Sequence, residues 1–183
     1  MERSLSRHIL KDLGRKSILI SGQRQAGKTT LAKSLVENHE YINFDYPEHR
    51  KILKERSWDR NKGLIIFDEI HKMQNWKTWL KGIYDVEGIP PSYLVTGSAK
   101  LDMMRKAGDS LAGRFFSYRL HPLDIKETSS FLKPEEAYRR ISAYGGFPEP
   151  FLENDPTFYG KWVRSHLDSI LRQDLLDLES FRD

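Results

Sequence analysis

Residues 22–30, GQRQAGKTT, satisfy the pattern G-x-x-x-x-G-K-[ST] at every fixed position, which is the spacing of a loop that wraps a polyphosphate. Each residue type has a task there. Gly22 and Gly27 let the backbone take positive φ and approach phosphate oxygens without a Cβ in the way. The residues between them, Gln25 and Ala26 included, contribute backbone N–H groups. Lys28 supplies charge for the β- and γ-phosphate oxygens, Thr29 a hydroxyl for Mg²⁺, and Thr30 a second hydroxyl placed for the α-phosphate. The chemistry this spacing points to is nucleotide binding.

A second set of residues bears on bond breaking. Asp68-Glu69 ends the apolar run Leu64-Ile65-Ile66-Phe67, so Asp68 is placed to hold the Mg²⁺ shell opposite Thr29, and Glu69 to reach a water behind the γ-phosphate. An ordinary solvated turn would carry the same pair. Ser92-Tyr93-Leu94-Val95 runs into Thr96-Gly97-Ser98, where Ser98 or Thr96 could hydrogen-bond the γ-phosphate or the attacking water; a plain turn is the alternative. Arg114, in SLAGR before Phe115, could neutralise charge that grows in the transition state, or could be a surface residue.

These side chains need a scaffold. The run Ser17-Ile18-Leu19-Ile20 leads directly into the loop, and Leu31, Leu35 and Val36 recur at helical spacing after it. A strand that turns into a helix through such a loop aims successive amides and the positive end of the helix dipole at one point. Residues 41–45 and the helical stretch 47–57 form one βα unit before Leu64, a length that suits a 64–67 strand lying beside the loop strand. Leu64 to Phe67 is apolar throughout, as in a strand buried on both faces. Residues 115–120 read as the last strand. From Asp155 onward Phe158, Trp162, Ile170, Leu171, Leu175 and Leu178 fall near three- and four-residue spacing, giving an amphipathic helix with no Gly or Pro stop.

The chain has 183 residues, 38% of them apolar, and no cysteine, enough for a sizeable core and excluding disulfides and thiolate metal sites. Met1-Glu2-Arg3-Ser4 carries no apolar signal region, and no run approaches a membrane span of about 20 residues. A cytoplasmic location is the expectation. Residues 1–62 hold 14 Lys and Arg against 8 Asp and Glu, a net of +6, whereas residues 150–183 hold 4 against 7, a net of −3. The basic part could face nucleic acid, although Glu48 and Glu55 sit among Lys51, Lys54 and Arg56, as on a solvated mixed surface. His71 has no second ligand at metal spacing, so Mg²⁺ is the only metal expected.

Taken together, GQRQAGKTTL, YINFD, FDEIHK followed by Trp76, TGS, SLAGR, His121-Pro122-Leu123 and YGGFPE resemble a prokaryotic family of AAA+-like P-loop ATPases, the AAA domain or archaeal-type group related to the STAND ATPases. The resemblance implies an α/β, three-layer P-loop NTPase with a parallel RecA/AAA+-type sheet in the order 5-1-4-3-2. It also implies an ATPase core over residues 1–123 and a helical subdomain over 124–183. Lys28, Thr29 and Asp68 take the Mg-nucleotide roles, Glu69 the catalytic base, Ser98 the sensor, and Arg114 a phosphate sensor or arginine finger acting in cis or in trans. Pro148 matches the proline that packs on adenine in the STAND relatives, unless the Gly-Gly-Phe-Pro turn is a plain helix stop. Gln23 and Ala26 replace the Pro and Val common in the family. Members commonly continue into winged-helix and nuclease-like segments, so the chain resembles the ATPase part, either a short form or truncated at its C-terminus.

The expected function is a Mg-dependent ATP-binding and slow ATP-hydrolysing module acting as a nucleotide-driven switch, with ATP and Mg²⁺ as cofactors. A nucleic-acid or protein client is the further partner, no membrane is involved, and the state is a monomer or a nucleotide-dependent oligomer. Two rivals stand beside it: an ATP-binding module with little turnover serving DNA or a protein, and a small-metabolite kinase.

Overall fold

The structure, a computed structural model, describes residues 3–97 and 111–179, with side chains up to Leu171. Two compact units divide it at Pro122 and Leu123. The first contains α1 (Leu5–Leu13), β1 (Ser17–Gly22), α2 (Lys28–Leu35), β2 (His39–Asn43), α3 (Pro47–Glu55), β3 (Leu64–Asp68), a short 3₁₀ turn (Ile70–Lys72), α4 (Trp76–Glu87), β4 (Ser92–Thr96) and β5 (Phe115–Leu120).

The five strands form one sheet, β2-β3-β4-β1-β5, with every neighbouring pair parallel. This is the 5-1-4-3-2 order that the family resemblance implies. It corrects the expectation drawn from segment length, because β3 does not touch the loop strand: β4 lies between them. Burial explains the order. All residues of β1 and β3 and four of the five of β4 are buried, as suits strands covered on both faces. Only Ile42 in β2 and Leu120 in β5 are buried, so these two mixed strands take the edges.

Alternation along the central strands sorts the core into two layers. Ile18, Ile20, Leu64, Ile66 and Leu94 pack with Ile9 and Leu13 of α1 and with Leu31, Ala32 and Leu35 of α2. Leu19, Ile65, Phe67, Tyr93 and Val95 face the other way, onto Leu53 of α3 and Trp76, Leu80 and Ile83 of α4. In that second layer Phe67 stacks on Tyr93 with centroids 6.0 Å apart and meets Trp58 and Trp79 edge-on at 5.3 Å each. Because the strands are parallel, every segment that follows a strand emerges at the same edge.

The second unit is helical: α5 (Ile125–Thr128), α6 (Pro134–Tyr144), α7 (Pro148–Glu153) and α8 (Pro156–Glu179). Trp162 and His166, four residues apart on α8, are buried and stack at 4.6 Å, and Phe147 lies against both rings. The expected apolar stripe therefore holds for Trp162 but not for Ile170 and Leu171, which are exposed; the side chains of Leu175 and Leu178 lie outside those described. A helix of 24 residues, about 36 Å long at 1.5 Å per residue, outruns the 11 and 6 residues of α6 and α7.

A candidate nucleotide-binding site

The loop leaves β1 at a point where only glycine fits, for a reason other than phosphate access. Gly22 has φ +150°, and a Cβ there would sit 2.2 Å from the carbonyl oxygen of Leu120, its register partner in β5. Gln25 and Gly27 both take left-handed conformations, φ 61° and 91°, and Gly27 caps α2. Ala26 is fully buried between them, Thr29 is half-buried, and Thr30 is exposed on the first turn of the helix.

Lys28 is buried and folds back over the loop, its Nζ donating to the carbonyls of Gly22 at 3.0 Å and Gln23 at 2.7 Å. Burial lowers its pKa from the ordinary lysine value, and the carboxylates of Glu69 and Asp68 oppose that shift. A buried cation whose hydrogen bonds go to two neutral carbonyls keeps its charge available to an anion.

Asp68 closes β3 and accepts from three hydroxyls. Thr29 Oγ1 and Tyr41 OH donate to its Oδ2 at 2.9 and 2.7 Å, and Thr96 Oγ1 to its Oδ1 at 2.5 Å. The Asp68 carboxylate thus meets the loop helix despite the intervening strand, because Thr96 is its register partner on β4. Tyr41 is held neutral, its pKa raised by burial and by the hydrogen bond to Asp68. Neither hydroxyl stands out in the sequence as part of this cluster. Thr96 spends its proton on Asp68 and is fully buried, so it fixes the carboxylate rather than offering a donor to a phosphate.

Glu69 follows in a left-handed conformation, φ 57°, with Oε2 buried and without a hydrogen bond. The same oxygen lies 3.5 Å from Lys72 Nζ and 3.6 Å from His71 Nε2, and Lys72 also reaches Asp45 Oδ2 at 2.5 Å. Among the described residues, no group of three or more His, Cys, Asp or Glu side chains is arranged to share a metal ion. Ser98, the expected sensor, lies outside the described residues.

Arg114 is not brought to this cluster. Its carbonyl accepts from Ser17 N, at the start of β1, and β1 runs roughly 17 Å from there to the loop at 3.3 Å per residue. The guanidinium is engaged on the same far edge by Asp85, with Nε to Oδ1 at 2.6 Å and Nη2 to Oδ2 at 3.0 Å. A residue just before a parallel strand sits opposite the loops that follow strands, so the structure places Arg114 at the edge away from the phosphate loop.

In the helical unit, Gly145 ends α6 at φ 73°, its N–H donating to Ile141 O, and Pro148 starts α7. Gly146 is pressed against Leu123, where a Cβ would lie 2.3 Å from the carbonyl oxygen. The Gly-Gly-Phe-Pro turn stops one helix and starts the next, with Pro148 half-buried at the first helical position.

The profile of the AAA domain family matches residues 14–129. Uncharacterized protein Rv2008c of Mycobacterium tuberculosis is 28% identical over 165 residues, covering 88% of this chain and 36% of the relative. Uncharacterized protein MJ1544 of Methanocaldococcus jannaschii is 26% identical over 201 residues, covering 95% and 45%. The chain thus spans less than half the length of these relatives. Among solved structures, AMPPCP-bound DnaA from Aquifex aeolicus is similar with a TM-score of 0.55 at 15% identity, over 82% of this chain and 57% of that one. The S. cerevisiae Hsp104–ADP complex gives 0.57 at 14%, over 95% and 33%. A STAND protein with a tetratricopeptide repeat sensor from Pyrococcus horikoshii gives 0.52 at 18%, over 81% and 28%. At such identities the likeness speaks to the fold alone, which is that of AAA+-like P-loop proteins, but the family match spans well over half of the chain and includes the loop, Asp68, Glu69 and Arg114; the chain belongs to the AAA domain family.

Proposed function

We propose that the chain binds ATP with Mg²⁺ and hydrolyses it slowly, as a nucleotide-driven conformational switch. The observation that carries this reading is the 2.9 Å contact between Thr29 Oγ1 and Asp68 Oδ2, beside a buried lysine that donates to the loop carbonyls of Gly22 and Gln23. One hydroxyl and one carboxylate form the sparse oxygen set that Mg²⁺ takes when waters and phosphate oxygens complete its shell. Bound there, the cation would neutralise charge on the β- and γ-phosphate oxygens.

The chain's own groups would do the rest. Lys28 exchanges its two carbonyl partners for phosphate oxygens, while the amides of residues 22–30 hold the polyphosphate. Glu69 orients the water and takes its proton, with Ser98 as its sensor partner. Lys72 and His71, close to the Glu69 carboxylate, compete for it, which favours slow turnover. Arg114 would serve the nucleotide of a neighbouring chain in an assembled state, because its own site lies across the sheet. Pro148 would pack on the base and tie the helical unit to the nucleotide; ATP rather than GTP is expected from the family and from the lack of an N-K-x-D string.

Calorimetry and phosphate release test this together. The parent should bind MgATP and release phosphate, Lys28→Ala should lose binding, and Glu69→Gln should bind without turnover. Equal phosphate release by parent and Glu69→Gln would remove hydrolysis at this site and leave an ATP-holding module for a DNA or protein client. Phosphate transfer to a metabolite would install a kinase instead.

A further inference from the structure

We infer that Arg3 is a positioning residue for the phosphate loop, aiming the Gly27 amide from behind. This rests on the nucleotide reading of the site above. Arg3 is almost fully buried, at 6% exposure, an expensive place for a guanidinium unless its N–H groups are satisfied. Nη1 donates to the carbonyl of Ala26 at 3.0 Å, inside the loop, and Nη2 to the carbonyl of His121 at 2.6 Å, just past β5. Its own carbonyl accepts from Ser6 N at 3.0 Å, fixing the residue at the entry to α1. One planar fork therefore joins the chain start, the loop and the exit of the edge strand.

The consequence follows from peptide geometry. The Ala26–Gly27 bond is trans, since the only cis bonds among the described residues are Ile89–Pro90 and Pro90–Pro91. In a planar trans peptide the C=O and the N–H point in opposite directions. Holding the Ala26 oxygen on the Arg3 side turns the Gly27 N–H to the other side. This peptide turns about ψ of Ala26 and φ of Gly27, and glycine at 27, left-handed at φ 91°, leaves that rotation poorly restrained by side-chain sterics. Arg3 supplies the restraint that the loop's own residues lack. A lysine would keep the charge but lose the two-pronged grip.

The test uses the full chain with MgADP, which avoids turnover, and reads both affinity and the Gly27 amide resonance. The parent should bind, and its Gly27 amide proton should move downfield as it bonds to phosphate. Arg3→Gln should weaken MgADP by about tenfold or more, roughly the 1.4 kcal/mol of one well-aimed hydrogen bond, and the downfield shift should shrink; Arg3→Lys should fall between. If the parent binds no MgADP, the nucleotide reading fails and this inference falls with it. If the parent binds and both variants match it in affinity and in Gly27 shift, Arg3 is a structural anchor only and the inference is overturned alone. Weaker binding with an unchanged Gly27 shift would also overturn it, as general loosening of the loop. Should Arg3→Gln fail to fold, the same two readouts on Arg3→Lys decide.

Discussion

The two ends of the sheet's strands each bring a cation and a carboxylate together but use them in opposite ways. At the edge where strands end, Lys28 is buried with carbonyl partners and Asp68 gathers three hydroxyls. At the edge where strands begin, Arg114 and Asp85 form a bidentate pair in solvent, and each moves the other's pKa further into the charged range. The first gives the cation carbonyl partners and the anion hydroxyl partners. The second is complete in itself. A buried cation and a hydroxyl-bonded carboxylate suit a polyphosphate and its cation, whereas a closed exposed pair needs an outside reason to open.

The largest expected effect tests the first half of that contrast. Lys28→Met should lower MgATP affinity by about 100-fold or more, since two charge-assisted bonds to phosphate contribute roughly 1.5–3 kcal/mol each. It should also hold or exceed the parent's melting temperature without nucleotide, because burial depresses the Lys28 pKa and the charge weighs against folding below pH 10. A variant that bound normally, or one that melted early, would break the comparison. Next, Glu69→Gln should reduce phosphate release by roughly 10²-fold or more, the range for loss of a general base, while calorimetry shows affinity within a few-fold of the parent.

Smaller effects sharpen the picture around Asp68. Thr96→Val leaves Oδ1 buried without its donor and should cost about 1–3 kcal/mol in urea unfolding. Tyr41→Phe should cost less, and it should flatten the alkaline limb of the stability curve. The Tyr41 pKa is raised on folding, so its contribution is full below pH 10 and fades as pH rises above the unfolded value; melting temperatures from pH 8 to 11 would show this. At the other edge, Arg114→Ala should leave the melting temperature and MgATP affinity unchanged. Its turnover defect should appear only at protein concentrations where chains associate, and a defect in dilute monomer would place Arg114 at its own nucleotide after all.

Much of this was legible in the residues. The loop, the Asp68 tip and the apolar run over residues 64–67, which suits a strand covered on both faces, are local patterns. The partners of Asp68 were not legible by the same means. Thr96 becomes its neighbour only through the β3–β4 register, and Tyr41 only through β2 pairing with β3, both products of strand order rather than spacing. Segment length misled, because it suits several neighbours for β3 and cannot choose among them. The position of Arg114, left open between its own and a neighbouring site, was legible further than that: once a sheet is parallel, a residue just ahead of a strand belongs to the far edge.

The narrow gap between Gly22 and Leu120 changes how one familiar experiment must be interpreted. A methyl at position 22 is a wedge driven between two hydrogen-bonded strands, so Gly22→Ala would pry β5 from β1 before any phosphate was approached. Lost ATP binding in that variant would report a sprung sheet, and only substitutions deeper in the turn can speak about the ligand.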